Sequence, residues 1–525
     1  MTNPLVLIVG AGPTGLVLGL WLTKLGVRVR IIDQTAEPGT TSRALAVQVR
    51  TLEYYRQLRI ADPLIAGGVK IAGVNFWVRG APAARLPFQW IGEGLTPYPF
   101  ILAFPQDAHE RFLIDQLDAS GVHVERRTEL IRFEQHGSGV RAALKRPDGT
   151  EELCEATYLA GCDGASSTVR EQLAIGFPGG TYEGLFYVAD VEAAGAATDE
   201  ELHVDLEDVD FVLVFPLKGK GRVRLVGTVR EPPHGESRTL TFDDVRGRTL
   251  EHLKLDIVKV NWFSTYRVHH RVAHRFREGR AFLLGDAAHI HSPVGGQGMN
   301  TGIGDAVNLA WKLAAVLKGE AADSLLNTYE PERLPFARRL VATTDRVFTV
   351  ATQRGRVAGF VRTRIAPRLM PVLFRLPPYR RFLFRIVSQI GVKYRNSPLS
   401  AGTAGAVRGG DRLPWVKTGP GQDNFAPLAS LEWQAHVYGQ PPRGVADACA
   451  ELRLPLHLFG WQPGMRQAGF RDAALYVIRP DGYVALADRH ADPERLRHYF
   501  VERGISRHGD QVRHAERAVD EQTQA

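Results

Sequence analysis

The run Leu5-Val6-Leu7-Ile8-Val9-Gly10-Ala11-Gly12-Pro13-Thr14-Gly15 decides the fold of this chain. Five apolar residues ending at a glycine cluster read as a strand buried on both faces. Leu16 to Leu25 reads as a helix and Val27 to Ile32 as a second apolar strand, so the chain opens with a βαβ unit. Gly10, Gly12 and Gly15 stand between strand and helix, where missing side chains let the backbone and the helix N-terminus approach a pyrophosphate. Asp33 ends the second strand, about where an acidic residue grips a ribose hydroxyl. The fold class is therefore α/β, opening with a Rossmann-like dinucleotide-binding domain. Nicotinamide and flavin dinucleotides share this unit, and the hexad does not choose between them.

A second run makes the choice. Arg280 to His289 reads Arg-Ala-Phe-Leu-Leu-Gly-Asp-Ala-Ala-His, and Pro293 and Gly295-Gly296-Gln297-Gly298-Met299-Asn300-Thr301-Gly302 follow. A strand ending near Asp286 offers its carboxylate to a ribityl hydroxyl. The glycine-rich loop then enters a long helix, whose apolar positions Ala306, Leu309, Ala310, Leu313 and Leu317 recur at helical spacing. Its N-terminus presents N–H groups and the positive end of a dipole to a flavin pyrimidine, which becomes electron-rich on reduction. Pro293, Gly295 and Gly296 are candidates to stand nearest the reacting flavin, and Gly298, Met299 and Asn300 to bind it.

Working outward, 525 residues allow about three domains at roughly 150 residues each. Hydrophobic residues at 44% and charged residues at 23% are globular proportions, which excludes a disordered chain. The 65 basic against 57 acidic residues leave +8, which points to an anionic ligand, and no block of like charge forms a nucleic-acid arm. Cys154, Cys162 and Cys449 form no CxxC pair and no histidine cluster has zinc spacing, so neither disulfides nor a metal are expected, and a cytoplasmic setting fits. No basic leader precedes Leu5, and no stretch stays apolar for the roughly eighteen residues of a membrane span.

Helices are expected at Thr51 to Arg59 and Ala108 to Ala119, and a hairpin from Gly139 to Cys154 around Pro147-Asp148-Gly149. Residues 76–99, dense in aromatics and prolines, read as irregular or edge structure. Strand signals at Val209 to Pro216 and Arg222 to Val229 predict an antiparallel sheet with one buried face, a candidate substrate domain. Helical character runs from about Pro335 to Ile390. Ser397 to Asp423 reads as a linker, Ala474 to Leu486 as a hairpin around Pro480-Asp481-Gly482, and 508–525 as a frayed tail.

In their order and spacing these motifs resemble the class A FAD-dependent aromatic monooxygenases, which include para-hydroxybenzoate hydroxylase, phenol hydroxylase and the aromatic polyketide hydroxylases. Gly10, Gly12, Gly15 and Asp33 match the first FAD motif, Gly161-Cys162-Asp163-Gly164 resembles the central Asp-Gly motif, and Gly285-Asp286 with Pro293 matches the second FAD motif. Arg43 and Gln106 stand where that family contacts FAD. The resemblance covers residues 1 to about 340. Ser397-Pro398-Leu399-Ser400 and Gly410-Asp411-Arg412-Leu413-Pro414 look like members carrying a C-terminal thioredoxin-like domain, here without CxxC.

The resemblance implies a glutathione-reductase-like FAD domain formed by 1–75, 100–175 and 275–345. It also implies a substrate domain (76–99 and 176–274), a helical connector (346–400) and a thioredoxin-like domain (401–507). It further implies FAD and NAD(P)H as cofactors, molecular oxygen and a small aromatic or polycyclic phenol as reactants, and hydroxylation through a flavin C4a-hydroperoxide. Baeyer–Villiger insertion, or a reductase or dehydrogenase on the same fold, stays open, as does a homodimer.

Single residues have two readings each. Asp163 with Arg170 is either a helix cap or a group near the FAD path, and His289 is either flavin-adjacent or a packed residue orienting the loop. Phe211, Phe215, Tyr187, Tyr266 and Trp262 are candidates for a substrate pocket, although aromatic residues at such positions are commonly core. His269, His270 and His274 read as surface groups. The arginine-rich stretch Arg354 to Arg395 reads as a solvated basic face on helices packed between domains, with a membrane-surface or acidic-partner helix as the competing reading. No base for a phenol is assigned.

Overall fold

The structure, a computed structural model, describes residues 5–39, 44–78, 80–88, 91–206, 211–229, 240–245, 253–292, 294–352 and 360–506. Val6–Val9 is buried throughout and pairs in parallel with Val29–Asp33 on one side and Tyr158–Gly161 on the other. Ala281–Leu283 extends the parallel set beyond Tyr158–Gly161, and Val124–Arg126 closes the far edge beside Val29–Asp33. Strands buried on both faces need helices on both sides, which explains their unbroken apolar sequence. Pro13–Lys24 supplies one, with proline in its first turn where a missing N–H costs nothing. Gly19 lets it approach the sheet: a Cβ there would meet Ile31 Cδ1 at 2.5 Å.

The largest sheet has eight strands. From one edge it runs His289–Ile290, Leu255–Val272, Gly179–Gly195, Arg222–Val229, Phe211–Pro216, Leu202–Leu206, Gly73–Val78 and Ala81–Pro87. All neighbours are antiparallel except Leu202–Leu206 with Gly73–Val78. Of the two readings for 76–99, irregular or edge structure, the structure shows edge strands up to Pro87, because Gly73–Val78 and Ala81–Pro87 pair as a hairpin at the sheet edge. An edge strand tolerates Pro82 and Pro87, whose missing donors would break a central ladder.

The long helix Gly298–Leu317 is buried for most of its length, and Tyr329–Thr352 packs after it. The linker expected over Ser397 to Asp423 is also corrected: Ala401–Ala404 and Val407–Arg408 belong to a six-stranded mixed sheet with Val484–Asp488, Leu475–Ile478, Gln434–Tyr438 and Leu456–Phe459. The glycines that suggested a linker serve close packing, since a Cβ on Gly409 or Gly410 would run into the backbone of Ala401 or Arg395. This C-terminal unit joins the rest through Trp311 against Trp433, whose ring centroids lie 5.5 Å apart, and through buried ion pairs. The tail from 508 lies outside the described residues.

Candidate active site

The glycine hexad turns sharply against the central motif. Gly10 has φ +103°, and a Cβ there would strike the carbonyl of Cys162, whose own N–H donates to Val9 O at 2.8 Å. Gly12 differs, because a Cβ on it would meet nothing within 4 Å. The protein leaves open space where the hexad motif brings a pyrophosphate to the helix N-terminus, so these residues fit an FAD diphosphate. Asp33 stands beside this turn, accepting from Ala11 N at 2.7 Å and from Thr35 N at 2.8 Å.

Thr14 couples the two FAD motifs. Cβ atoms built on Gly285 and on Gly302 would both strike its Oγ1, so two glycines make room for one hydroxyl. Asp286 lies exposed in the short turn Gly285–Ala287, at the end of strand Ala281–Leu283. Arg43 and Pro293 lie outside the described residues. Gln106 holds Ala44, the residue after Arg43, by accepting from its N–H at 3.2 Å, and it also donates to Glu110 at 2.8 Å. Asp163 accepts from Ser167 Oγ and Val169 N, which caps the helix Thr168–Gln172, and burial pushes its carboxyl up. Its carboxylate therefore shapes the loop beside Gly10. Arg170 reaches across to Ala287 O at 3.0 Å and ties that loop to the second motif.

The flavin loop hangs from the eight-stranded sheet, since His289–Ile290 pairs with Arg271 and Val272. Gly295 and Gly296 turn it with φ of +77° and +61°, and Gly298 opens the long helix, whose first N–H groups have no acceptor within the helix. Met299 is partly buried in that first turn. Asn300 is fully engaged: its Nδ2 donates to Ala46 O and Gly296 O, and its Oδ1 accepts from Gln48 N and Thr51 Oγ1, all at 2.8 Å. It fixes the loop by side chain, which leaves its backbone for the cofactor.

Two features of this loop escaped the sequence. Asp305, two turns into the long helix and buried, accepts from Gly285 N at 3.0 Å and from Arg333 Nε at 2.6 Å, and pairs with His289 Nε2 at 2.7 Å. Burial alone would raise its carboxyl, but Arg333 and His289 outweigh it and hold the group below its ordinary value. His289 is thus the packed residue that orients the loop.

The other is His291. Its Nδ1 lies 2.8 Å from Ser292 O, and a carbonyl only accepts, so Nδ1 carries the proton and Nε2 the lone pair. Nε2 is shielded from solvent without a partner among the described residues, and lies 3.8 Å from where a Cβ on Gly298 would stand. Burial lowers its pKa to about 4, so the ring is neutral at pH 7.

The sheet register sorts the candidate pocket residues. Phe186 pairs with Tyr266, Asp190 with Arg224 and with Trp262, and Phe215 with Arg224. Cross-strand partners share a face. Arg224, held by Asp190 Oδ1 at 2.6 Å, donates to Ala44 O at 3.1 Å, so this face looks toward the FAD domain. Tyr187 is one residue out of phase. It stacks on Phe263 in the core under the opposite face, with Val191 and Val214, and so is not brought together with Tyr266 and Phe215. Phe211 opens its strand, and its side chain lies outside the described part. Among the described residues no cluster of His, Cys, Asp or Glu could hold a metal, and no helix is long and apolar enough to cross a membrane.

Residues 4–344 match the family described as FAD binding domain. The chain is 38% identical over 419 residues to a 6-methylpretetramide 4-monooxygenase of Streptomyces rimosus, covering 78% of this chain and 73% of that one. It is 34% identical over 425 residues to a pentachlorophenol 4-monooxygenase of Sphingobium chlorophenolicum, covering 79% and 76%. Its fold superposes on OxyS, an anhydrotetracycline hydroxylase from Streptomyces rimosus, with a TM-score of 0.74 at 28% identity over 96% of this chain and 99% of that one. With two glycine motifs meeting at Thr14 and a family match over most of its length, this chain belongs to the FAD-binding-domain family and is a flavin-dependent aromatic monooxygenase.

Proposed function

We propose that the enzyme adds one hydroxyl to a polycyclic phenol, consuming NAD(P)H, a proton and O2 and releasing NAD(P)+, the hydroxylated ring and water. The observation that carries this reading is the FAD-facing side of the eight-stranded sheet, where Phe186, Tyr266, Trp262 and Phe215 share a face directed at the FAD domain. Flat aromatic side chains suit a flat aromatic substrate. Bound FAD supplies the oxygen-transfer chemistry. The open space at Gly12 would hold its pyrophosphate, Asp286 its ribityl chain, and the first turn of the Gly298 helix its pyrimidine edge.

The chain's own contribution is positional and electrostatic. Asp305, Arg333 and Asn300 fix the loop, so the first-turn N–H groups stay aimed without rearranging. His291 Nε2 accepts the hydrogen bond of a phenolic O–H, which raises electron density on the ring that meets the electrophilic oxygen. NAD(P)H needs no second Rossmann unit, since the one glycine hexad is given to FAD.

Residues 401–507 are read in the same proposal as a thioredoxin-like unit without redox function. Cys449 is buried there, and burial raises its thiol to about 11, far from the thiolate a disulfide exchanger needs. The division into FAD, substrate, connector and C-terminal segments keeps the sequence-based boundaries, and assembly as a homodimer is to be read by light scattering. A reductase is not favoured, because the two relatives compared above are named monooxygenases, and Baeyer–Villiger insertion is not favoured, because the solved structure compared above is named a hydroxylase.

The test is a panel of polycyclic phenols with FAD-loaded enzyme, NADPH or NADH, and isotopically labelled O2. A product carrying one oxygen from O2 on a ring carbon is expected. NAD(P)H oxidation that no phenol stimulates, or an inserted ester oxygen, would overturn the reading.

A further inference from the structure

The helices between the FAD domain and the C-terminal unit are two-faced. Val361–Ile365, Ala366–Phe374 and Pro377–Val387 anchor inward through Phe374 and Phe384, which join the main core. Outward they present Val361, Ile365, Leu369 and Val372, each three or four residues from the last and therefore on one stripe, with Leu376 exposed in the turn that follows. Phe360 and Phe382 beside it are 60% and 63% exposed. This corrects the reading of a merely solvated basic face, because packing between domains does not cover these side chains.

Charge follows the same stripe. Seven arginines lie from Arg362 to Arg385 with both ends counted, and the chain has no Asp or Glu between Asp345 and Asp411. Arg364, Arg368, Arg375, Arg381 and Arg385 are exposed. An overall excess of +8 in 525 residues is thus strongly concentrated here.

We propose that this surface docks on an anionic phospholipid bilayer, with the apolar stripe entering the acyl boundary and the arginines meeting lipid phosphates. Interleaved arginine and large apolar side chains fit such an interface, since a guanidinium can reach the phosphate level while its stem stays in apolar surroundings. A second copy of the chain fits poorly, because a two-fold contact would set this carboxylate-free face against itself. The patch also adjoins a cavity of about 530 Å³ lined by Arg385 and Ile386 at one side and Gln297 of the flavin loop at another. A lipophilic substrate dissolved in the bilayer would enter there, a step that rests on the hydroxylase reading; the docking itself does not.

Full-length, FAD-loaded protein is sedimented with vesicles of phosphatidylcholine alone or mixed with phosphatidylglycerol. Binding to the anionic vesicles only is expected, falling roughly tenfold or more as salt rises from about 0.1 M to about 1 M. A Leu369→Glu/Phe382→Glu variant should keep its FAD and its NAD(P)H oxidation yet bind anionic vesicles about tenfold less tightly, and Arg368→Ala/Arg381→Ala should weaken binding as well. Failure of the wild type to sediment with either vesicle, or variants that bind as well as it does, would overturn the proposal. So would a wild-type dimer that the Leu369→Glu/Phe382→Glu variant splits, since a second copy would then be the occupant. Vesicle binding without any hydroxylated product would sink the substrate class and leave docking standing.

Discussion

Gly10 and Gly12 are two residues apart, and they serve different ends. Gly10 lacks a side chain because the protein's own backbone fills that space, and its positive φ would strain any replacement. Gly12 lacks one because a ligand needs the space. Gly12→Val should therefore give a folded but colourless protein, with an unfolding midpoint near that of wild-type apoprotein and no flavin absorbance. A yellow Gly12→Val protein would refute the placement of the pyrophosphate. His291 yields a second prediction at this scale. His291→Phe keeps the ring's bulk and loses the lone pair, so FAD content and NAD(P)H oxidation should persist while hydroxylated product falls by about 100-fold, the size of a general-base contribution. Equal product yield from both proteins would remove His291 from the chemistry.

At the level of elements, the close crossing of the Pro13 and Gly298 helices joins the two halves of the FAD site. A methyl at Gly302 collides with Thr14 Oγ1, and the surroundings are packed. Gly302→Ala should cost about 1–3 kcal/mol as overpacking does, and weaken FAD retention with it. Adding Thr14→Ala removes the colliding hydroxyl, so the double variant should recover much of the loss in urea denaturation. Additive losses would show that the two sites do not meet. The glycines of this crossing were legible in the sequence because each motif is local, a few residues between a strand and a helix. Asp305 was not, since its meaning depends on Gly285, His289 and Arg333, up to 28 residues away. Tyr187 illustrates the other limit. Aromatic content marks a strand, but only pairing with Thr265 and Gly227 reveals which face a residue takes, and a step of one residue reverses it.

Across the whole molecule, buried charge fastens the C-terminal unit to the FAD domain. Glu332 accepts from Lys312 at 2.9 Å, Ser397 at 2.6 Å and Arg479 at 2.6 Å; Arg479 also holds Asp481, and Arg412 pairs with Glu53. Apart from Arg479 and Asp481 these partners are far apart in sequence, Ser397 and Glu332 by 65 residues and Arg412 and Glu53 by 359, which is why the region around 400 read as a loose linker. Removing one member strands the others: Arg479→Met should cost about 3–5 kcal/mol and loosen FAD, because the Arg479 guanidinium lies over the Tyr394 ring, and the Tyr394 hydroxyl accepts from Arg333, which holds Asp305 behind the flavin loop. The same network sets the acid limit. Burial alone would raise the carboxyls of Glu332, Asp305 and Glu53, but the guanidinium groups of Arg479, Arg333 and Arg412 outweigh it and hold all three below their ordinary values. An unfolded carboxylate takes up its proton near pH 4.5 while the folded one stays charged, so their stabilisation is complete above that pH and is lost as pH falls below it. His291 and His109, lowered by burial to about 4 and about 3 from 6.5, add an earlier limb, since the unfolded state gains their protons first as pH drops below 6.5. Urea midpoints should therefore decline gently from about pH 6.5 and steeply below about pH 4.5. In Glu332→Gln the steep limb should be shallower from a lower starting point, and midpoints that hold level down to about pH 4 in the wild type would show that this junction is not held by charge.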